Sequence, residues 1–399
     1  MTTATAPTAP TSRLVPTLIA LTLARLVLNG VRRFPYVIFP SMVTALGVTP
    51  AVLQAALSAQ WATGLLSPLA GPASDRLGRR RMMLLGIGSL ALATGFAAVT
   101  RNPALVLVAI AGCGLSKMLY DPAMQAYVGD RTPYARRAAA IGVTELSWSG
   151  AQFIVGPLAA YLIVYAGLGA VFAALAAGSV LAFLLILALV PGDAPARPRI
   201  AAAALPARTA VSLLRASRPA LAMFGAAALT AFAIEGMAIN YATWLRNTFA
   251  AGDFFLGALA LPLAVAELAA EGFVIAAADR LGKLRLLLVT LVATGVLYVV
   301  FPATGADVRV AVAALVVMFL FFETSMVVMI PMATEVLPEA RGTMMSANVA
   351  AFALGRAIGT PLGGWLFVAG GYMLNGGLAL AANLLAALLI WRCVKETRH

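Results

Sequence analysis

From about residue 15 onward the chain reads as a succession of long apolar runs separated by short polar stretches. Twelve runs stand out, at 15–44, 51–74, 82–100, 103–129, 139–164, 168–190, 219–247, 254–277, 284–302, 308–332, 342–368 and 371–391. Each is close to or beyond the roughly 20 residues a helix needs to cross a bilayer. The runs are continuously apolar with no period-two alternation, which predicts helices and argues against a transmembrane β-barrel. Span 1 is long and contains Pro35 and Pro40, which predicts a kink. The expected fold class is an all-α membrane protein with twelve transmembrane helices.

Composition supports this picture. The 399 residues are 62% hydrophobic and only 11% charged, with mean hydropathy +0.95. Soluble domains carry roughly 25% charged residues, so this chain has too little polar material to cover a surface in water. The first residues, MTTATAPTAPTSR, are rich in Thr, Ala and Pro and are expected to be disordered. No signal peptide is expected, because the first apolar run is long, carries Arg25 and is followed by eleven more. Cys113 and Cys393 are far apart and on or just beyond spans, so they suggest neither a disulfide framework nor a thiolate metal site. The single histidine is His399, which leaves no His-based zinc site or proton relay in the bilayer. No phosphate loop, nucleophile elbow or dinucleotide fingerprint is present, and no cofactor or metal is expected.

The formal net charge of +13 becomes informative once it is mapped. With both termini on one side, that side receives Arg13, Arg76, Arg79, Arg80, Arg81, Arg131, Arg136, Arg137, Arg197, Arg199, Arg208, Arg215, Arg218, Arg280, Lys283, Arg285, Arg341, Arg392, Lys395 and Arg398. The other side receives Arg101, Arg246 and Arg309. This bias follows the positive-inside rule and predicts cytoplasmic termini in an inner (cytoplasmic) membrane. The basic excess thus reflects topology and contact with anionic lipid, and gives no support to nucleic-acid binding.

Residues 191–218, rich in Pro, Arg and Ala, read as a cytoplasmic linker between two six-span bundles, 15–190 and 219–391, with tails at 1–14 and 392–399. The bundles echo each other at a spacing of about 205 residues. Asp75-Arg76-Leu77-Gly78-Arg79 recurs as Asp279-Arg280-Leu281-Gly282-Lys283, and Pro133-Tyr134-Ala135-Arg136 as Pro338-Glu339-Ala340-Arg341. Gly150 and Pro157 match Gly355 and Pro361. Parallel six-helix repeats define one transporter architecture, with the substrate site near the midplane between the halves.

The stretch GPASDRLGRR, Gly71 to Arg80, resembles the loop 2–3 signature of the major facilitator superfamily, and its degenerate second copy falls where that family has one. The resemblance covers essentially the whole chain and implies two pseudo-symmetric six-helix bundles. It also implies a conformational latch that stabilises the outward-open state. Asp75 would engage the cytoplasmic end of span 11, with Gly71, Arg76, Arg79, Arg80 and Arg136 in support, Gly78 allowing the turn, and Asp279 and Arg280 as the second copy. Gly150, Gly156 and Pro157 on span 5 resemble the glycine–proline pattern of the family's antiporters and are expected hinges. That pattern is incomplete here: Ala159 and Ala160 stand where glycines are common. The span-4 arginine of many proton-coupled drug exporters is replaced by Lys117 in IAGCGLSKMLYD.

Eleven charges lie inside spans: Arg25, Arg32, Arg33, Lys117, Arg356, Asp121, Glu145, Glu235, Glu267, Glu271 and Glu323. A charge at a helix centre costs about 2.5–3.5 kcal/mol on insertion scales, so each is a functional candidate. They fall on spans 1, 4, 5, 7, 8, 10 and 11, and none on 3, 6, 9 or 12, which the resemblance makes the peripheral helices. Arg25, Asn29, Arg32, Arg33 and Tyr36 form one polar stripe on span 1 at i, i+4, i+7, i+8 and i+11. Lys117 and Asp121 can pair on span 4; Glu145, Trp148, Ser149 and Gln152 share a face of span 5. Asp121 and Glu145 lie at similar depth, about 12–14 Å from the terminal ends of their spans at 1.5 Å per residue. Arg356 is expected to pair with a glutamate of span 8 or 10, while Glu235 and Glu323 have no same-helix cation. Phe319, Phe322, Met326 and Met329 around Glu323 make a soft wall suited to varied apolar ligands.

These residues suggest a secondary transporter, a proton-coupled exporter of amphiphilic or drug-like small molecules working by alternating access. The proton gradient would drive it, and Glu235, Glu323, Asp121, Glu145 and Glu267 are the proton-coupling candidates. Arg25, Asn29, Arg32, Arg33, Tyr36, Lys117, Trp148, Gln152, Phe319, Met326 and Arg356 are the substrate-cavity candidates. Two other readings stay open: a carrier of organic anions or lipid head groups using the span-1 arginines, and a non-transporting membrane receptor. No span or loop assembles a nucleophile, base and orienting group, so no enzyme is expected. The resemblance implies a monomer.

Overall fold

The computed structural model describes residues 14–67, 73–74, 76–132, 134–193, 207–337 and 341–394; the side chains at 134–139, 141, 207–211, 279 and 341–342 fall outside that description. Span 1 is Leu14–Val37, followed after a break at Ile38 (φ −109°, ψ 23°) by Phe39–Leu46. The kink therefore falls between the two prolines. Pro35 stays within the first helix, and Pro40 occupies the first turn of the second, where a missing N–H costs nothing. Span 2 is Pro50–Ala62 with a final 3₁₀ turn, Thr63–Leu66. Spans 3 and 4 are Arg79–Val99 and Pro103–Arg131. Spans 5 and 6 lie within Tyr134–Leu189, which turns over at Gly167. Span 7 is Arg218–Ala238 with Tyr241–Phe249, and spans 8, 9 and 10 are Asp253–Leu281, Lys283–Ala303 and Val308–Val336. Spans 11 and 12 lie within Arg341–Cys393, which turns over at Gly370 and Gly371. The linker contributes one further helix, Ala207–Ala216.

Local chemistry sets many of these boundaries. Pro50, Pro103 and Pro219 stand in first turns. The side chains of Asn102 and Asp307 accept the Ala104 and Arg309 N–H groups at 2.9 and 2.7 Å, closing two helix N-termini. The turns repeat between the halves. Gly78 and Gly282 hold φ of 92° and 85°, and Gly167 and Gly371 hold 79° and 72°, each pair matched across the repeat. Arg79 pairs with Asp130 at the end of span 4, and Lys283 pairs with Glu335 at the equivalent place on span 10, at 2.6 Å. The second half thus reproduces the first in backbone and in tether.

Small residues bring helices together. Gly355, Gly359 and Gly363 line one face of span 11, and a side chain at any of them would collide with span 7 at Ala228, Phe232 or Gly236. The halves meet along two seams, span 2 against span 11 and span 5 against span 8. Gly156 faces Ala260, Gly257 faces Ala160, Gly64 faces Ala353 and Gln54 faces Gly364. Of the two faces crossed by the spans, the one bearing Leu14 and Val394 is here the terminal face. The halves also touch at the opposite face. There Ser41 donates to Asp253 at 2.5 Å and receives Arg246 at 3.0 Å, Arg246 pairs with Asp253, and Tyr165 packs on Phe254. The halves are closed on that side. Large apolar side chains cover the outside, Ile275 being 85% exposed, as a lipid-facing belt requires.

Candidate functional site

Between the halves lies a cavity of about 50 Å³, room for a few water molecules. Its wall draws on spans 1, 2, 5, 7, 8, 10 and 11: Arg32, Arg33, Tyr36, Trp61, Trp148, Gln152, Ile234, Ala238, Tyr241, Glu267, Phe319, Phe322, Glu323 and Arg356. Seven expected cavity residues meet here (Arg32, Arg33, Tyr36, Trp148, Gln152, Phe319 and Arg356), together with two proton-coupling candidates, Glu267 and Glu323.

Span 1 supplies the cavity's main cross-links. Arg33 grips Glu267 of span 8 with both terminal nitrogens, at 2.7 and 2.9 Å, and donates to Gln152 at 3.3 Å. Its guanidinium lies 3.9 Å from the Trp148 ring centre. Tyr36 donates to Glu235 of span 7 at 2.5 Å and accepts from the Trp61 indole at 2.8 Å. Both links join one half to the other. Fork-to-carboxylate geometry shielded from water makes the Arg33–Glu267 pair a strong and directional contact.

Glu235 is fully buried behind the cavity wall; it has no cation on its own helix, as expected, and takes one from another. Arg356 reaches it at 3.2 Å, and the Thr360 hydroxyl lies 3.1 Å away. Arg356 therefore pairs with span 7, and not with a glutamate of span 8 or 10, because the glycine face of span 11 brings it against span 7. Glu323 is 8% exposed and makes no ion pair or hydrogen bond among the described residues. Among the described residues Glu271 meets only the Ser149 hydroxyl, at 3.5 Å.

A second cluster sits nearer the terminal face, away from the cavity. Arg25 bridges Asp121 at 3.3 Å and Glu145 at 2.7 Å, and donates to the Thr144 carbonyl. Lys117 pairs with Asp121 at 2.8 Å and donates to Asn29 at 2.5 Å, while Asn29 donates to Ser147 at 3.1 Å. Arg25, Asn29 and Lys117 are thus corrected from cavity lining to a ring that joins spans 1, 4 and 5 within the first half. Met326 is also off the cavity, packed against the apolar core.

Span 5 keeps its helix through Gly150, Gly156 and Pro157, its break coming only at Gly167. In this conformation two of the expected hinges are points of close approach, Gly150 beside Leu26 and Gly156 beside Ala260. Of the latch residues, Gly71 and Asp75 lie outside the described residues, as do the side chains of Arg136 and Asp279. Arg76 and Arg280 are exposed. Arg79 meets Asp130, and Arg80 donates to Leu187 O at 2.7 Å and, through its backbone, to Asp193. Asp130 and Leu187 belong to the first half and Asp193 to the start of the linker, while the closed seam lies on the opposite face.

Sequence reasoning missed Trp61, which carries both Arg32 and Arg356, each at 4.4 Å from its ring. Gln54, Ser58 and Trp61 follow helical spacing on a span without charges, and that pattern was the available signal. It also missed the Ser41–Arg246–Asp253 closure, whose members sit at span ends where charges look merely topological.

A family model, Major Facilitator Superfamily, matches residues 21–275. The vesicular acetylcholine transporter of Rattus norvegicus is 30% identical over 200 residues, covering 50% of this chain but only 37% of that relative. An uncharacterised MFS-type transporter of Bacillus subtilis (strain 168), YceJ, is 24% identical over 309 residues, 76% of each chain. Among solved structures, a D-xylose-proton symporter superposes with TM-score 0.80 at 17% identity over 97% of this chain and 99% of its own. A bacterial homologue of the human lysosomal transporter Spinster, inward-facing and occupied, gives 0.75 at 15% identity over 98% of each. With that family model spanning well over half the chain and its helices following the same fold, the protein belongs to the major facilitator superfamily of multi-pass membrane transporters.

Proposed function

We propose that this transporter is a proton-coupled exporter of amphiphilic small molecules that works by alternating access, with its terminal face in the cytoplasm of an inner membrane. The distribution of Lys and Arg supports that orientation. The observation that carries the reading is Glu323: a carboxylate on the cavity wall, more than nine-tenths buried, with no ion-pair partner among the described residues, set beside Phe319 and Phe322. Such a group holds a proton in one state and gives it up when a cationic substrate group or water arrives. A relative named for acetylcholine, a small organic cation, is in keeping with a carboxylate at the binding wall.

Alternating access requires the two halves to part on the closed side. Span 1 then has to release Glu267 and Glu235, which Arg33 and Tyr36 hold across the seam. A proton on either carboxylate weakens its link, so proton load and rocking are joined in the same residues. Anionic lipid at the cytoplasmic face, a monomeric state, and loop 2–3 as a latch for the outward-open state are part of this reading. In everted vesicles, an amphiphilic amine is expected to release protons in the wild type and not in Glu323→Gln. Undiminished proton release in both Glu323→Gln and Glu235→Gln would sink the assignment.

A further inference from the structure

The charges around the cavity do not all cancel within the protein. Arg33 is answered by Glu267, Arg356 by Glu235, and Arg25 and Lys117 by Asp121 and Glu145. Two groups on the cavity wall have no such answer. Glu323 is one. Arg32 is the other: it is 8% exposed, makes no ion pair or hydrogen bond among the described residues, and leaves a buried Nε without an acceptor. Only the face of Trp61 supports its guanidinium. A desolvated guanidinium offers five N–H donors in a fixed fork, and leaving them unmade is costly. The fork suits a carboxylate, phosphonate or phosphate.

Two of the three span-1 arginines, Arg25 and Arg33, are already paired within the protein. What remains is one cation, Arg32, and one carboxylate, Glu323, lining the same small cavity without forming a pair. Tyr241, Phe319 and Phe322 supply apolar surface on that wall. A cationic substrate leaves Arg32 unanswered, and an anionic one gives Glu323 nothing to exchange its proton for. We infer that the site, once the halves part and widen it, takes a zwitterionic amphiphile: its anionic group on Arg32, its cationic group toward Glu323 in place of the proton, and its apolar body between them. This rests on the reading of Glu323 as the proton carrier and adds the substrate class.

The test uses full-length protein in nanodiscs and probes that differ in charge alone. These are phenylalanine, phenylpropionate and phenethylamine, with the corresponding naphthyl trio. Binding is read by thermal shift and calorimetry. In the wild type, the zwitterion of at least one trio is expected to bind about tenfold or more tighter than its acid or its amine, the scale of one charged contact. In Arg32→Gln the zwitterion should fall to the level of the amine, and in Glu323→Gln to the level of the acid. Arg32→Lys, which keeps the charge and loses the fork, should retain part of the preference. Amines that bind as well as zwitterions, an Arg32→Gln variant that keeps the full preference, or no binding by any of the six overturns the inference. Should Arg32→Gln fail to fold, the wild-type ranking decides alone. Amine-driven proton release that depends on Glu323, with no zwitterion preference, removes the inference and leaves the proposed function standing. Proton release indifferent to Glu323 removes that function instead.

Discussion

Arg33 and Glu267 bind each other through two hydrogen bonds in a site closed to solvent, so neither can be removed alone without stranding the other. Glu267→Gln is expected to cost about 3–5 kcal/mol of stability, as for other broken buried pairs, read as a lowered thermal midpoint. Adding Arg33→Gln should return a good part of that loss, and a double-mutant cycle measures the coupling; strictly additive losses would mean the two do not act as a pair. At this scale the sequence was readable within helices and opaque between them. Lys117–Asp121 followed from i, i+4 spacing and stands at 2.8 Å. The partners of Arg25, Arg33 and Arg356 lie on other spans, and which span faces which depends on packing that no single segment encodes. The eleven charges could be named from their segments, while the sorting into neutralised and open ones needed the assembled bundle.

Among elements, the contact of span 7 with span 11 depends on the absence of side chains. A Cβ on Gly359 would sit 2.7 Å from Phe232 O and 3.0 Å from the Glu235 Cβ. Gly359→Ala should therefore displace span 7, cost roughly 1–3 kcal/mol by overpacking, and weaken transport by misplacing Glu235; wild-type melting and flux in this variant would refute the steric argument. The turn glycines act differently. Gly78 and Gly282 hold positive φ with extended ψ, where a Cβ costs on the order of 1–3 kcal/mol. Gly78→Ala and Gly282→Ala should lower the thermal midpoint by similar amounts, because the turns are copies. Such turns were legible, since a glycine between an apolar run and a basic residue is a local signal. The linker helix Ala207–Ala216 was not, because a short helix in a polar linker leaves no long apolar run.

For the whole molecule, closure on the face opposite the termini is the feature that function must undo. Ser41 and Asp253 come from different halves and touch across that seam. In a background with Cys113 and Cys393 replaced, Ser41→Cys and Asp253→Cys joined by a short thiol cross-linker should stop transport. Reduction of the linker should restore it, whereas flux that continues through the cross-link would show that this seam need not open. The two-bundle architecture was readable from repeats such as Asp75–Arg79 and Asp279–Lys283. The closed face was not, because Arg246 and Asp253 flank a loop and gain their meaning only when Ser41 arrives from the other half. The same assembly places two of the five tryptophans, Trp61 and Trp148, against guanidinium groups on the cavity wall, while Trp244, Trp365 and Trp391 lie elsewhere. An indole's emission colour shifts with the charge beside it. With those three changed to phenylalanine, the transporter carries its own optical gauge: filling or opening the cavity should change the glow of Trp61 and Trp148 in real time, with no label attached.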